Sequence, residues 1–204
     1  VTGGSRGLGR GMAQGLHDAG VELVIMGTTN RILKIAEGID SPDAPVHGVI
    51  ADFNNSFEVE KAFDEAMSIL GDLDILVNNA GMQIRHPSSE FPLKDWQNVL
   101  NVNLTSAFIM SQKAGNVMMK KRYGKIINIA SLLSFSGGIN VPAYAASKGG
   151  IAQLTKALSN EWAAKCINVN AIAPGYMDTD NIADIKTDDI RNAQILDRIP
   201  AGRY

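Results

Sequence analysis

Short apolar runs alternate along this chain with longer stretches in which apolar residues recur every three or four positions. The short runs fall at residues 22–26, 47–51, 75–78, 124–130 and 167–173 and predict strands. The longer stretches predict helices over 7–19, 29–38, 56–70, 93–121 and 143–165. Helix and strand in strict alternation, with strands apolar on both sides, predict a parallel sheet covered on both faces. That is a three-layer α/β fold, a doubly wound parallel sheet of the Rossmann type. No repeat, low-complexity tract or Pro/Gly-rich linker interrupts it, so residues 1–204 read as a single domain. Residues 1–4 read as the end of a strand plus a glycine turn, and 199–204 stop without a closing strand. The chain therefore looks truncated at both ends. Ligands of such sheets bind at the carboxyl ends of the strands.

Composition narrows the partners. The 204 residues carry a net charge of −2 with no basic block, which argues against nucleic acid. No apolar stretch is long enough to span a membrane, and no secretory signal opens the chain. Cys166 is the single cysteine, expected as a buried bystander, and no Cys/His spacing suits a metal. A cytoplasmic protein acting on a small molecule fits these features.

Two stretches carry chemistry. Residues 2–9, Thr-Gly-Gly-Ser-Arg-Gly-Leu-Gly, follow the strand end and open a helix. Gly3 permits the tight turn, Gly7 lets backbone approach a pyrophosphate, and Gly9 lets helix and sheet pack closely. The helix N-terminus offers N–H groups to the phosphates. A plain turn would also use three glycines, so this signal needs company. The acid that usually binds the adenosine ribose is missing, because Gly27 stands at the end of the second strand. Arg6, Thr28 and Arg31 are placed to receive a 2′-phosphate, which favours NADP(H) over NAD(H). As the alternative, both arginines are surface residues.

The second stretch is Tyr144-Ala145-Ala146-Ser147-Lys148, with Ser131 thirteen residues before the tyrosine. A helix sets Tyr144 and Lys148 side by side. A cation nearby lowers a phenol's pKa from about 10 and favours its use as an acid/base. Ser131 would hold the substrate oxygen while Tyr144 gives or takes the proton. Taken alone, the Tyr/Lys spacing describes an exposed helical pair as well.

Together these residues resemble the short-chain dehydrogenase/reductase family over essentially the whole chain. The resemblance makes the glycine turn (Gly3, Ser5, Arg6, Gly7, Leu8, Gly9) a cofactor fingerprint. It places Asp52 and Phe53 at the adenine ring. It assigns Asn79, Ala80 and Gly81 to the motif that closes the fourth strand and lines the cofactor. It implies a catalytic tetrad of Asn103, Ser131, Tyr144 and Lys148, in which Lys148 also holds the nicotinamide ribose and Asn103 holds a water that extends the relay. Pro174, Gly175 and Thr179 fall in the loop that places the nicotinamide. It further implies a homotetramer or homodimer.

Within the family, the segment 124–204 is most similar to dehydrogenases of deoxy- and keto-deoxy-hexonates. A sugar acid needs a cation for its carboxylate, and Arg85 offers a planar bidentate donor; a surface salt bridge is the alternative. Gln194 and Arg198 are candidate lid contacts, with interface use equally open for Arg198. His86 reads as a solvated loop residue. The expected activity is hydride transfer between NAD(P) and a keto or hydroxy carbon of a hexonate-type sugar acid. The alternatives are a gluconate 5-dehydrogenase-like enzyme, a reductase of carrier-protein-bound 3-oxoacyl groups, and a non-catalytic nucleotide-binding protein.

Overall fold

The structure, a computed structural model, describes residues 1–179 and 187–204. Its elements, in order, are α1 Gly7–Asp18, β1 Leu23–Gly27, α2 Arg31–Ile39, β2 Val46–Ile50, α3 Ser56–Leu70 and β3 Ile75–Asn78. They continue with α4 Leu93–Leu100, α5 Ser106–Lys121, β4 Gly124–Ile129, α6 Pro142–Trp162, β5 Ile167–Ile172 and α7 Asp189–Leu196. Residues Val1–Ala173 form one compact unit and Pro174–Tyr204 a second.

In the first unit β1 pairs with β2, and β3, β4 and β5 pair in that order, all parallel. Val1 and Thr2 join the two ladders. The Thr2 N–H donates to the Val77 carbonyl at 3.0 Å, and the Met26 N–H donates to the Val1 carbonyl at 2.9 Å. The strand order is therefore β2, β1, residues 1–2, β3, β4, β5, and it reverses direction at residues 1–2. Such a switch point opens a crevice at the strand ends, where dinucleotides bind. This is a doubly wound, Rossmann-type sheet.

The alternation of side chains along β1 builds both faces. Val24 and Met26 join a core with Val59 and Phe63 of α3 and Met110, Ala114 and Met118 of α5. Leu23 and Ile25 join a second core with Ala13 of α1 and Ile32 and Ala36 of α2. All five residues of β1 are buried, as a central strand requires. The outer strands differ. In β5, Ile167 and Val169 are buried while Asn168 and Asn170 are exposed, so among the described residues it is covered on one face.

Two features went unread in the sequence. The expected helix over 93–121 is split by a single π-helical turn, Asn101–Thr105, between α4 and α5. A line of polar side chains also runs through the core. Asn78 donates through Nδ2 to Asn128 Oδ1 and Ser111 Oγ, each at 2.9 Å, and Asn128 donates to Thr155 Oγ1 at 2.9 Å. These bonds tie β3, α5, β4 and α6 together, and removing one partner from such a buried set costs about 1–3 kcal/mol.

Cys166 is exposed, contrary to expectation. It sits in a left-handed turn (φ 64°) just before β5, and the Arg122 guanidinium approaches its Sγ at 3.8 Å. In the second unit Asp188 caps α7 by accepting from the Arg191 N–H, and Ile195 packs against Ile199 and Tyr204.

Candidate active site

The glycine turn is shaped by its neighbours. Gly3 and Gly7 have φ of 68° and 52°, values that side-chain-bearing residues rarely adopt. A Cβ on Gly3 would lie 2.9 Å from the Ala80 Cα, and one on Gly9 would land on the Gly3 carbonyl. Asn79 holds the turn from below, donating through Nδ2 to the Thr2 and Gly3 carbonyls at 3.0 and 3.1 Å. Thr2 answers with its hydroxyl, which accepts from the Asn79 and Ala80 N–H groups. No side chain caps α1 at Arg6, and no acid lies in its first turn. Open N–H groups on a cradle that a Cβ would fill suit a pyrophosphate. These residues fit a bound NAD(P), which supplies the hydride donor or acceptor.

The rest of the expected cofactor contacts lie at neighbouring strand ends. Thr28 and Arg31 are exposed just past β1. Gly27 leaves no room for an acid without displacement, since a Cβ there would stand 3.2 Å from the Ile32 Cβ. Asp52 is exposed past β2, where its Oδ1 accepts from the Asn54 N–H at 2.9 Å. The Phe53 side chain, by contrast, is part of the core, which leaves only its backbone to meet a cofactor.

The structure brings Ser131, Tyr144, Lys148 and Asn103 together. Ser131 lies two residues past the end of β4 and caps a short 3₁₀ turn, Leu132–Ser134, where its Oγ accepts from the Leu133 N–H at 3.2 Å. With that lone pair used, its proton is available to an oxygen above. The hydroxyl lies near enough to the Tyr144 phenol to pull its pKa down. Tyr144 and Lys148 share one face of α6. Lys148 is buried, donates to the Ile129 carbonyl, and stands 5.8 Å from the Tyr144 ring centroid.

Asn103 lies in the π-turn, 1% exposed. Its Oδ1 accepts from the Met82 N–H at 2.8 Å, and its Nδ2 donates to the Met82 carbonyl at 2.9 Å and to Ser147 Oγ at 3.0 Å. Both amide protons are thus committed, one to the backbone after the Asn79–Gly81 turn and one to Ser147 on α6. A Cβ on Gly81 would lie 3.5 Å from Asn103 Oδ1 and 3.8 Å from Lys148 Nζ, so Gly81 is where the cofactor half and the proton relay meet.

One electrostatic expectation is corrected. Lys148 was expected to lower the phenol's pKa. Burial instead raises Tyr144 above the usual 10.0, and the Ser131 hydroxyl only partly offsets this. The reason is that Lys148 points to the Ile129 carbonyl rather than to the phenol oxygen, and its own pKa is lowered by burial to about 8. The phenol is therefore held protonated, as an acid.

His86, expected as a solvated loop residue, is a partly exposed loop residue that is also anchored: it pairs with Asp95 at 2.8 Å, meets Phe91 edge-on, and donates its backbone N–H to the Asn140 carbonyl. Arg85 beside it is exposed and has no ion-pair partner among the described residues. Pro174, Gly175, Thr179, Gln194 and Arg198 belong to the second unit, where Thr179 Oγ1 donates to the Met177 carbonyl and Gln194 and Arg198 are exposed. Sequence reasoning missed Thr2, Ser147 and Ser134. Only Ser134 left a trace, as the third residue after a capping serine.

The family model described as short chain dehydrogenase matches residues 1–190. A 2-dehydro-3-deoxy-D-gluconate 5-dehydrogenase of Bacillus subtilis is 46% identical over 207 residues, spanning all of this chain and 80% of the relative. A crystal structure from Agrobacterium tumefaciens with bound NADP, provisionally assigned as a 2-deoxy-D-gluconate 3-dehydrogenase, is 45% identical with a TM-score of 0.89, covering all of this chain and 81% of that one. A gluconate 5-dehydrogenase of Burkholderia cenocepacia in complex with NADP and tartrate is 34% identical with a TM-score of 0.93, covering all of this chain and 80% of that one.

Proposed function

The chain belongs to the short-chain dehydrogenase family, and from that premise we propose that it oxidises or reduces C5 of a hexonate-type sugar acid, with 2-dehydro-3-deoxy-D-gluconate as the leading substrate. It is an NAD(P)-dependent oxidoreductase acting on a CH–OH group. The observation that carries the site assignment is the Ser131–Tyr144 hydroxyl pair above a buried Lys148. In the reducing direction Tyr144 gives its proton to the carbonyl oxygen as hydride reaches the carbon. Ser131 donates to the same oxygen and fixes its position. Lys148, cationic at neutral pH, holds the nicotinamide ribose. Asn103 supports the relay from below, and its water is part of this proposal, carried by something other than its committed amide protons.

Arg85 is the proposed carboxylate ligand, supported by its exposure beside the anchored His86. Gln194 and Arg198 are proposed lid contacts. Exposed Thr28 and Arg31 at the end of β1, with Gly27 in place of an acid, favour NADP(H). Action of residues 1–204 as one catalytic domain, a homotetramer or homodimer, and a cytoplasmic location complete the reading; the solitary exposed Cys166 suits a reducing compartment. A second reading, interconversion of gluconate and 5-keto-gluconate, is favoured by the likeness to the Burkholderia enzyme. A screen of 2-dehydro-3-deoxy-D-gluconate, 2-deoxy-D-gluconate and D-gluconate with NAD⁺ and NADP⁺ tests both. Turnover confined to uncharged alcohols would overturn the sugar-acid assignment.

A further inference from the structure

Ser131 and the Tyr144/Lys148 pair ride on different elements, and catalysis needs their hydroxyls to meet one substrate oxygen. A single side chain hydrogen-bonds to the backbones of both. Ser134 Oγ accepts from the Ser131 N–H at 3.2 Å and donates to the Lys148 carbonyl at 2.7 Å. The Lys148 carbonyl lies within α6, where one lone pair already serves the helix, so Ser134 takes the other. The same turn is closed by the Ser134 N–H donating to the Ser131 carbonyl at 2.9 Å.

We propose that Ser134 is a positioning residue for the reaction, a hydroxyl clasp that sets the Ser131-to-Tyr144 geometry by joining the backbones of Ser131 and Lys148. It touches neither cofactor nor substrate in this role. An alanine would leave the Ser131 N–H without its side-chain partner and the turn held to α6 by packing alone. A 1 Å misplacement of a reacting group costs up to about 10²-fold in rate, so a fraction of that shift costs about tenfold. The inference rests on Ser131 as the hydroxyl that positions the carbonyl.

The test compares S134A, S134T, S131A and the S131A/S134A pair, with NADP⁺ and 2-dehydro-3-deoxy-D-gluconate or, failing that, any secondary alcohol the wild type oxidises. For S134A, kcat is expected to fall about tenfold, with KM for the alcohol and Kd for NADPH within about twofold. S134T, which keeps a hydroxyl, is expected to recover most of kcat. The double variant is expected to be no slower than S131A, because a clasp that acts through Ser131 has nothing left to position. Wild-type kcat in S134A, or losses that multiply in the double variant, would overturn the inference. If S134A does not fold, S134C, which keeps the volume but bonds weakly, takes its place with the same expected loss. Full activity in S131A would instead sink the role of Ser131 itself, whatever Ser134 does.

Discussion

The cofactor half of the cleft and the substrate half are built from different material. On the cofactor side, the Thr2 and Asn79 side chains lock onto each other's backbone, and a Cβ on Gly3 or Gly9 would strike a neighbour. On the substrate side Arg85 is exposed and unpaired among the described residues, supported through its neighbour His86. The first half recognises a ligand common to many enzymes through shape. In the proposed reading the second takes one substrate through a few side chains that can change without disturbing the fold. Function class is therefore encoded in packing, and substrate in what the packing leaves free.

The sharpest break between the halves is at Tyr144, which serves the substrate from a helix that also serves the cofactor. Tyr144→Phe is expected to lower kcat by about 10²–10⁴-fold, the usual worth of a general acid, while NADPH fluorescence titration gives an unchanged Kd. A weakened Kd would mean the phenol belongs to the cofactor half.

Within the cofactor half, Gly9→Ala should weaken NADPH binding by about 10–100-fold and lower Tm, because overpacking costs about 1–3 kcal/mol. Binding and stability close to wild type would show that the turn is softer than its contacts imply.

Within the substrate half, Arg85→Ala should lower kcat/KM for a sugar acid about 10–100-fold, since a charge-assisted hydrogen bond contributes about 1.5–3 kcal/mol. An uncharged alcohol should lose much less, and Tm should not move. Equal losses on both substrates would make Arg85 structural.

The smallest effect is on stability and runs opposite to activity. Burial lowers the Lys148 pKa from the usual 10.5 to about 8. Between those values the unfolded chain binds more protons than the folded one, so stability rises with pH across that window and the full cost is felt below about 8. At 1.36 kcal/mol per pKa unit the cost has an upper bound of about 3 kcal/mol. Lys148→Met should therefore raise Tm by a few degrees at pH 7 while impairing turnover, with the advantage fading toward pH 10.5. Thermal melts at pH 7 and pH 10 decide this, and a lower Tm for the variant at pH 7 would show that the Ile129 contact outweighs the buried charge.

The alternation of apolar runs was enough to place each strand within about two residues, because a period of two or of 3.6 leaves its mark on any sequence. The Ser131, Tyr144 and Lys148 group was equally legible, since its spacing on one helix and one strand end is local. What escaped was whatever depends on partners far along the chain. The direction of the Tyr144 pKa depends on burial and on where Lys148 points, neither of which spacing contains. The partners of Asn103 are equally distant in sequence: its Oδ1 accepts from the Met82 N–H, and its Nδ2 donates to the Met82 carbonyl and to Ser147 Oγ. His86 looked solvated because Asp95 lies on the next helix.

The π-turn at Asn101–Thr105 ties the history of the site to that of the core. It inserts one residue into an otherwise regular helix, so everything after it is rotated by roughly 100° relative to an uninterrupted one. The sixteen residues of α5, with Met110, Ala114 and Met118 facing the sheet, are packed in that shifted phase. A deletion that made the helix regular would do more than displace Asn103. It would turn the whole apolar stripe of α5 away from β3 and β4, and the protein would lose its interior along with its asparagine. A single-residue deletion cannot easily retire position 103, because a lineage that shed the kink would have to rebuild half a hydrophobic face in the same step.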